Sequence, residues 1–268
     1  MKSLLAASLL ALMAQSALAA DTTVRNPLTD EGSWEYLREE MIGDAVAQDG
    51  AAVFEVEAPY RAHDAATVPV TIHQTGDVPI NNFKVIVDEN PAPMAGHFTV
   101  GEAMLPLDFE LRVRVDMYSN LRVVAETPDG VFMDGRFVKA SGGCSAPATK
   151  DAALALASMG QMKLRQFGDA PMASGQKREA QIMIRHPNYS GMQRDQITQL
   201  FMEAHFISDL EVYQGDDLLF TMEGGISISE NPVFRFTYTD NGAPTLRIRA
   251  EDTEGNVFEQ ELAKDART

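Results

Sequence analysis

The chain has 268 residues, a formal net charge of −17 and a single cysteine. One thiol cannot form an internal disulfide, so a fold stapled by its own cystines is excluded. The acidity and the absence of any Lys/Arg run argue against nucleic acid or an anionic membrane as partner.

The first residues read as an export leader. Lys2 is followed by an apolar stretch from Leu4 to Met13, and Ala17-Leu18-Ala19 has the form of a cleavage site. The apolar stretch is too short to span a bilayer, and no later segment reaches ~18 uninterrupted apolar residues. A cleaved, exported, periplasmic protein is the expectation, with enough chain left for two domains of roughly a hundred residues.

Ser33 is placed to cap a helix of about a dozen residues, with Trp34, Leu37, Met41, Ala45 and Val46 on one face. After Gly50 the apolar period becomes two. Strands are expected at Val53 to Val56, Val68 to Ile72, Phe83 to Val87, Phe98 to Val100, Leu111 to Val115, Leu121 to Ala125 and Phe132 to Val138. Short strands at hairpin spacing predict an antiparallel sandwich. Next come a glycine loop, Gly142-Gly143-Cys144, a predicted helix from Asp151 to Arg165, and a linker from Gln166 to Lys177. The second half is again β-patterned. Strands are expected at Ala180 to Arg185, His205 to Tyr213, Leu218 to Met222, Val233 to Tyr238, Thr245 to Ala250 and Asn256 to Leu262. His186 to Gly191 is a turn, and Asn241-Gly242 and Glu254-Gly255 mark tight turns. The predicted fold is mostly β: two immunoglobulin-like β-sandwich domains, a short N-terminal helix and an inter-domain helix and linker. The boundaries are 1–19 for the leader, 30–140 for the first sandwich, 141–178 for loop, helix and linker, and 179–262 for the second sandwich.

Cys144 carries the chemical interest. It follows Gly142 and Gly143, which give the backbone freedom, and Pro147 soon bars regular structure. The sulfur is either a thiol presented to something outside the protein or an incidental loop cysteine. Lys139 and Lys150 would raise its thiolate fraction if they approach it; otherwise they are two solvated lysines. No G-x-S-x-G, phosphate loop, H-E-x-x-H or C-x-x-C is present. His63, His73, His97, His186 and His205 share no short ligand spacing, and the fourteen methionines are scattered, so no metal is expected. A thiol on a mobile arm is poorly preorganised for hydrolysis but suits exchange and transfer. No catalytic residue and no resident cofactor are therefore expected.

Several segments, in order, are similar to a known family. Val56-Glu57-Ala58-Pro59-Tyr60, Asp88-Glu89-Asn90-Pro91-Ala92-Pro93, Leu111-Arg112-Val113-Arg114 and Phe137 to Cys144 resemble SoxY, a sulfur-carrying subunit of thiosulfate oxidation. His186-Pro187, Gly191-Met192-Gln193-Arg194-Asp195, Ala204-His205-Phe206-Ile207 and Ile228-Ser229-Glu230-Asn231-Pro232 resemble its partner SoxZ. The whole is similar to fused, quinoprotein dehydrogenase-associated SoxYZ-like carriers. The resemblance implies two immunoglobulin-like sandwiches, Cys144 as a covalent carrier thiol and Gly142 and Gly143 as its hinge. It implies a non-enzymatic carrier of sulfur-containing intermediates, served by periplasmic redox enzymes or c-type cytochromes. The alternative is an accessory module for a PQQ-dependent alcohol dehydrogenase or its cytochrome. Two departures stand out. Ser145-Ala146-Pro147 replaces the family's trailing glycines, and the arm is internal. A loop tethered at both ends reaches only about 17–20 Å from its nearer anchor.

Overall fold

The computed structural model describes residues 26–29, 32–147, 152–168 and 174–264. The expected leader and Lys150 lie outside the described residues. No described helix is long and apolar enough to cross a membrane.

The elements in chain order are α1 (Trp34–Ile42), β1 (Gln48–Asp49), β2 (Phe54–Glu57), β3 (Val68–Gln74), β4 (Asn82–Val87), β5 (Met94–Val100), β6 (Asp108–Val113), β7 (Ser119–Thr127) and β8 (Gly130–Val138). They continue with α2 (Ala152–Ala157), β9 (Met162–Phe167), β10 (Lys177–Ile184), β11 (Ile207–Gln214), β12 (Asp217–Gly224), β13 (Val233–Thr239), β14 (Thr245–Asp252) and β15 (Val257–Ala263). The period-two reading is physically direct. Along β10, β13 and β14 buried residues alternate with more exposed ones, as a strand with one face on a core requires. The chain is mostly β, with two sheets and few helices, as expected.

The expectation of two sandwiches gains a feature that the pattern does not contain. The first sheet runs β1-β8-β7-β4-β5-β12-β11-β14-β15 and the second β2-β3-β6-β13-β10-β9. Each sheet therefore passes through both halves of the chain. The joints are antiparallel: β5 pairs β12 from Val100↔Phe220 to Gly96↔Gly224, and β6 pairs β13 at Glu110↔Arg235 and Phe109↔Phe236. The halves also share one hydrophobic core. Its middle is aromatic. Phe83, Phe98 and Phe109 come from the first half, and Phe220, Phe234 and Phe236 from the second. Phe98–Phe109, Phe109–Phe220 and Phe220–Phe236 have ring centroids 5.3, 5.2 and 5.3 Å apart. Fully buried edge-to-face rings are among the strongest apolar contacts a core makes, so the halves are welded rather than tethered.

Three local expectations are corrected. The helix predicted from Asp151 to Arg165 stops early: α2 spans only Ala152–Ala157, and Met162–Phe167 is β9. Its Met, Leu and Arg residues favour helix weakly, but β10 offers a full antiparallel partner from Glu179↔Phe167 to Ile184↔Met162. Pairing with a sheet edge outweighs propensity here. The linker expected from Gln166 is thus strand at its start. Ser33 sits before α1 but does not cap it; its Oγ and N–H donate to the Glu89 carboxylate instead. Met41 is buried from that helix, with Trp34 and Leu37 packed beside it, whereas Val46 lies beyond the helix and is exposed.

Candidate functional site

Cys144 lies where the two halves meet, on the side to which β6 and the β10–β11 connection lead. Its side chain is fully buried. This departs from the expectation of a presented thiol. The physical reason is a set of short-range bonds that seat the loop. The N–H groups of Gly142 and Gly143 donate to the carbonyls of Asp116 (2.8 Å) and Val115 (3.1 Å). The Cys144 N–H donates to Asp116 Oδ1 at 3.1 Å. From the second half, Ser190 Oγ donates to the Cys144 carbonyl, and Gln193 Nε2 donates to the Ala146 carbonyl at 3.0 Å.

The two glycines do different work. Gly142 has φ +78°, a left-handed turn that side chains disfavour. Gly143 is needed for space. A Cβ there would stand 2.1 Å from the Ala65 carbonyl oxygen and 2.7 Å from both the Val115 nitrogen and oxygen. The Gly-Gly pair reads as a hinge in sequence, and in the fold it is also a close-approach surface that lets the loop lie flat.

Burial pushes the Cys144 thiol up to about 11 from an ordinary 9.0; the Asp116 carboxylate adds to this, and Arg114 opposes it. The seated sulfur is therefore a thiol at neutral pH and a poor nucleophile. Lys139 does not enter this balance. Its ammonium lies over the Tyr60 ring, 4.8 Å from the centroid. The cation that faces the sulfur electrostatically is Arg114, which is 1% exposed. Arg114, Asp116, Ser190 and Gln193 were not legible as site residues. Arg114 and Gln193 lie in the segments that carry the resemblance, but only the tertiary fold brings them to Cys144.

The seam beneath the loop is polar and closed. Asn90 Nδ2 donates to the Arg114 carbonyl and to Ser227 Oγ, both at 2.8 Å, and Asn90 Oδ1 accepts from the Asp116 N–H at 2.8 Å. Ser227 Oγ donates to the Ala92 carbonyl at 2.8 Å. One buried asparagine thus fixes the strand end that receives the loop and binds it to the second half.

The segment that clamps Cys144 from above is anchored by a buried polar lock. His186 and His205 both aim Nε2 at Asp252 Oδ2, at 3.3 and 2.8 Å. The sequence showed no short histidine spacing, yet the fold gathers His186, His205 and Asp252 into a possible ligand set. The bonding pattern argues for a lock instead. The Asn188 N–H donates to His186 Nδ1 at 3.0 Å, which assigns the ring proton to Nε2. A metal at Nε2 would need that proton moved to Nδ1, where it would meet the Asn188 N–H. Burial lowers the His186 pKa, in keeping with a neutral ring. Asn188, at φ +42°, carries the turn: its side chain accepts from the Ile207 N–H at 3.1 Å and donates to the Ser229 carbonyl at 3.2 Å.

Outside the loop, a cleft of 720 Å³ is lined by Ser145, Pro147, Met192, Arg194 and Phe201 among others. It touches the residues flanking Cys144 rather than the sulfur. Ile197, Leu200 and Phe201 in the same stretch of chain are 92, 70 and 62% exposed.

The arrangement is that of a buried thiol of low reactivity, held in place by a small number of hydrogen bonds from both halves of the chain. Comparison with known proteins finds a family match in each half. Residues 38–144 match the family described as sulfur oxidation protein SoxY, a match that ends at Cys144, and residues 168–263 match sulphur oxidation protein SoxZ. No curated protein matches the chain. Among solved structures, the sulfur carrier protein SoxY from Chlorobium limicola f thiosulfatophilum is similar at 27% identity, over 40% of this chain and 94% of that one, with a TM-score of 0.34. The chain is a fused SoxYZ-like protein, with a SoxY domain N-terminal and a SoxZ domain C-terminal, and belongs to the SoxY/SoxZ sulfur-carrier family of sulfur oxidation.

Proposed function

We propose that the protein is an exported, non-enzymatic carrier that holds a sulfur-containing group covalently on Cys144 and presents it to periplasmic redox enzymes or c-type cytochromes. The observation that carries this reading is the only cysteine of the chain, seated on a Gly-Gly loop by a few reversible hydrogen bonds across the seam. Such a loop alternates between two states. Seated, it hides the sulfur and whatever the sulfur bears. Lifted, it returns the thiol toward ordinary acidity and exposes it for exchange with a partner. The loop is internal and continues into the second half of the chain, so presentation is short-range and the partner must come to the surface. Exposed Ile197, Leu200 and Phe201 beside the loop support docking at this end of the molecule. A PQQ-dependent dehydrogenase or its cytochrome is one such partner within this reading.

The test is intact-mass analysis of protein recovered from its native exporting host. A reducible sulfur adduct is expected on the wild type and none on Cys144→Ser. Recovery of only free thiol and glutathione-type disulfides would refute the carrier role.

A further inference from the structure

Arg114 is the largest fully buried side chain of the described residues, and it is a cation. Nη1 donates to the carbonyls of Ile226, at 3.0 Å, and Ile228. Nε is buried and has no hydrogen-bond partner among the described residues. Arg114 also takes part in none of the ion pairs that those residues form. A buried guanidinium with no carboxylate in contact is unfavourable, and its planar fork is well suited to an oxyanion or a sulfur anion.

The geometry says where that anion would come from. Immediately after Arg114 the chain becomes Val115 and Asp116, the two residues that bind the backbone of Gly142, Gly143 and Cys144. The loop is thus laid against the two residues that follow Arg114 in the chain, and Cys144 and Glu230 are the acidic groups whose charge acts on its guanidinium. With the thiol protonated, the seated loop brings Arg114 no charge. An adduct on the sulfur that ends in a negative group would bring one.

We propose that Arg114 is the anion-binding half of the carrier site: its guanidinium takes the negative charge of a sulfonate- or sulfide-terminated group borne on Cys144. This rests on the carrier reading above and adds a consequence to it. An anionic adduct holds the loop down more firmly than a neutral one does, and loss of the charge loosens it to the hold of its hydrogen bonds alone.

The test uses the purified full chain, loaded chemically. Tetrathionate gives the anionic adduct: the Cys144 thiolate attacks an inner sulfur, the S–S bond breaks, thiosulfate leaves and Cys–S–S–SO₃⁻ remains. Hydrosulfide then attacks the Cys144 sulfur of that adduct, expelling a second thiosulfate and leaving the persulfide. Methyl methanethiolsulfonate gives the neutral control, Cys–S–S–CH₃, with methanesulfinate leaving. Amide exchange of residues 141–147 and the melting temperature are read for each form. In the wild type, an anionic adduct should slow loop exchange about tenfold or more relative to the neutral one, the effect of about 1.4 kcal/mol. It should also raise Tm by roughly 2 °C or more. A gain with both anionic forms supports recognition of charge alone; a gain with one supports recognition of that terminus. The gain should vanish in Arg114→Gln and survive in part in Arg114→Lys. Equal protection by anionic and neutral adducts in the wild type overturns the proposal, as does a gain that persists in Arg114→Gln. The wild-type comparison decides the matter if Arg114→Gln does not fold. Because the adducts are made in vitro, failure here would leave the carrier role standing.

Discussion

Replacing Gly143 by alanine should expel the Cys144 loop without unfolding the protein. The added Cβ would lie 2.1 Å from the Ala65 carbonyl oxygen, against an ordinary contact of 3.4 Å or more, and all three nearest atoms are backbone, from Ala65 and Val115. The neighbours cannot yield, so the loop must move by more than 1 Å. That shift breaks the Gly142, Gly143 and Cys144 N–H bonds to residues 115 and 116. Three hydrogen bonds at about 1 kcal/mol each amount to about 3 kcal/mol, or roughly a hundredfold rise in the lifted population. The assay is alkylation of Cys144 with iodoacetamide at pH 8, followed by intact mass. Labelling should be slow in the wild type, because the seated sulfur is a buried thiol whose pKa is pushed up to about 11. It should be about a hundredfold faster in Gly143→Ala, approaching the rate in denaturant. The shared core is untouched, so Tm should stay within a few degrees. A wild-type protein that labels as fast as the variant would refute the seated-loop reasoning. So would a variant that labels no faster than the wild type.

Removing the clamp from the other side, Ser190→Ala with Gln193→Ala, should speed the same labelling by about tenfold or more, at about 1 kcal/mol per lost bond. The raised Cys144 pKa also fixes a pH dependence. Stability contributed by the protonated thiol is complete below pH 9 and is lost as pH rises toward about 11, by at most about 2.7 kcal/mol. Urea melts at pH 8 and pH 11 should show this loss in the wild type, and Cys144→Ser should lack it. Asp252 behaves in the opposite sense. Burial works to raise its pKa, but bonds from Asn256, His205 and His186 outweigh burial and hold it at about 2. Its contribution is present above pH 4 and lost as pH falls toward 2, worth about 2 kcal/mol, and acid melts of Asp252→Asn should lack that limb. Phe109→Ala should cost about 3–5 kcal/mol and destabilise both halves together. Trp34 fluorescence and far-UV circular dichroism should then trace one coincident urea transition, whereas two separated transitions would contradict a shared core.

Much of this protein is local, and local features are what a sequence determines. Period-two runs such as Val233 to Tyr238 become strands because alternate residues must face a core, and Gly142-Gly143 must be a turn because few residues tolerate its backbone. The lone Cys144 within that turn, and the motifs around it that resemble SoxY and SoxZ, were likewise present in the linear chain. What depends on residues far apart was not. Met162–Phe167 became a strand only because β10 had a free edge. β5 and β6 found β12 and β13, more than a hundred residues on, so that two expected sandwiches came to share each sheet and one core. The same long-range pairing brought Asn90, Arg114, Asp116, Ser190 and Gln193 around the cysteine. The sequence determined that there is one thiol on a glycine loop. Tertiary structure decided that it is seated, buried and faced by an arginine, because hydrogen bonds, desolvation and charge act across space rather than along the chain.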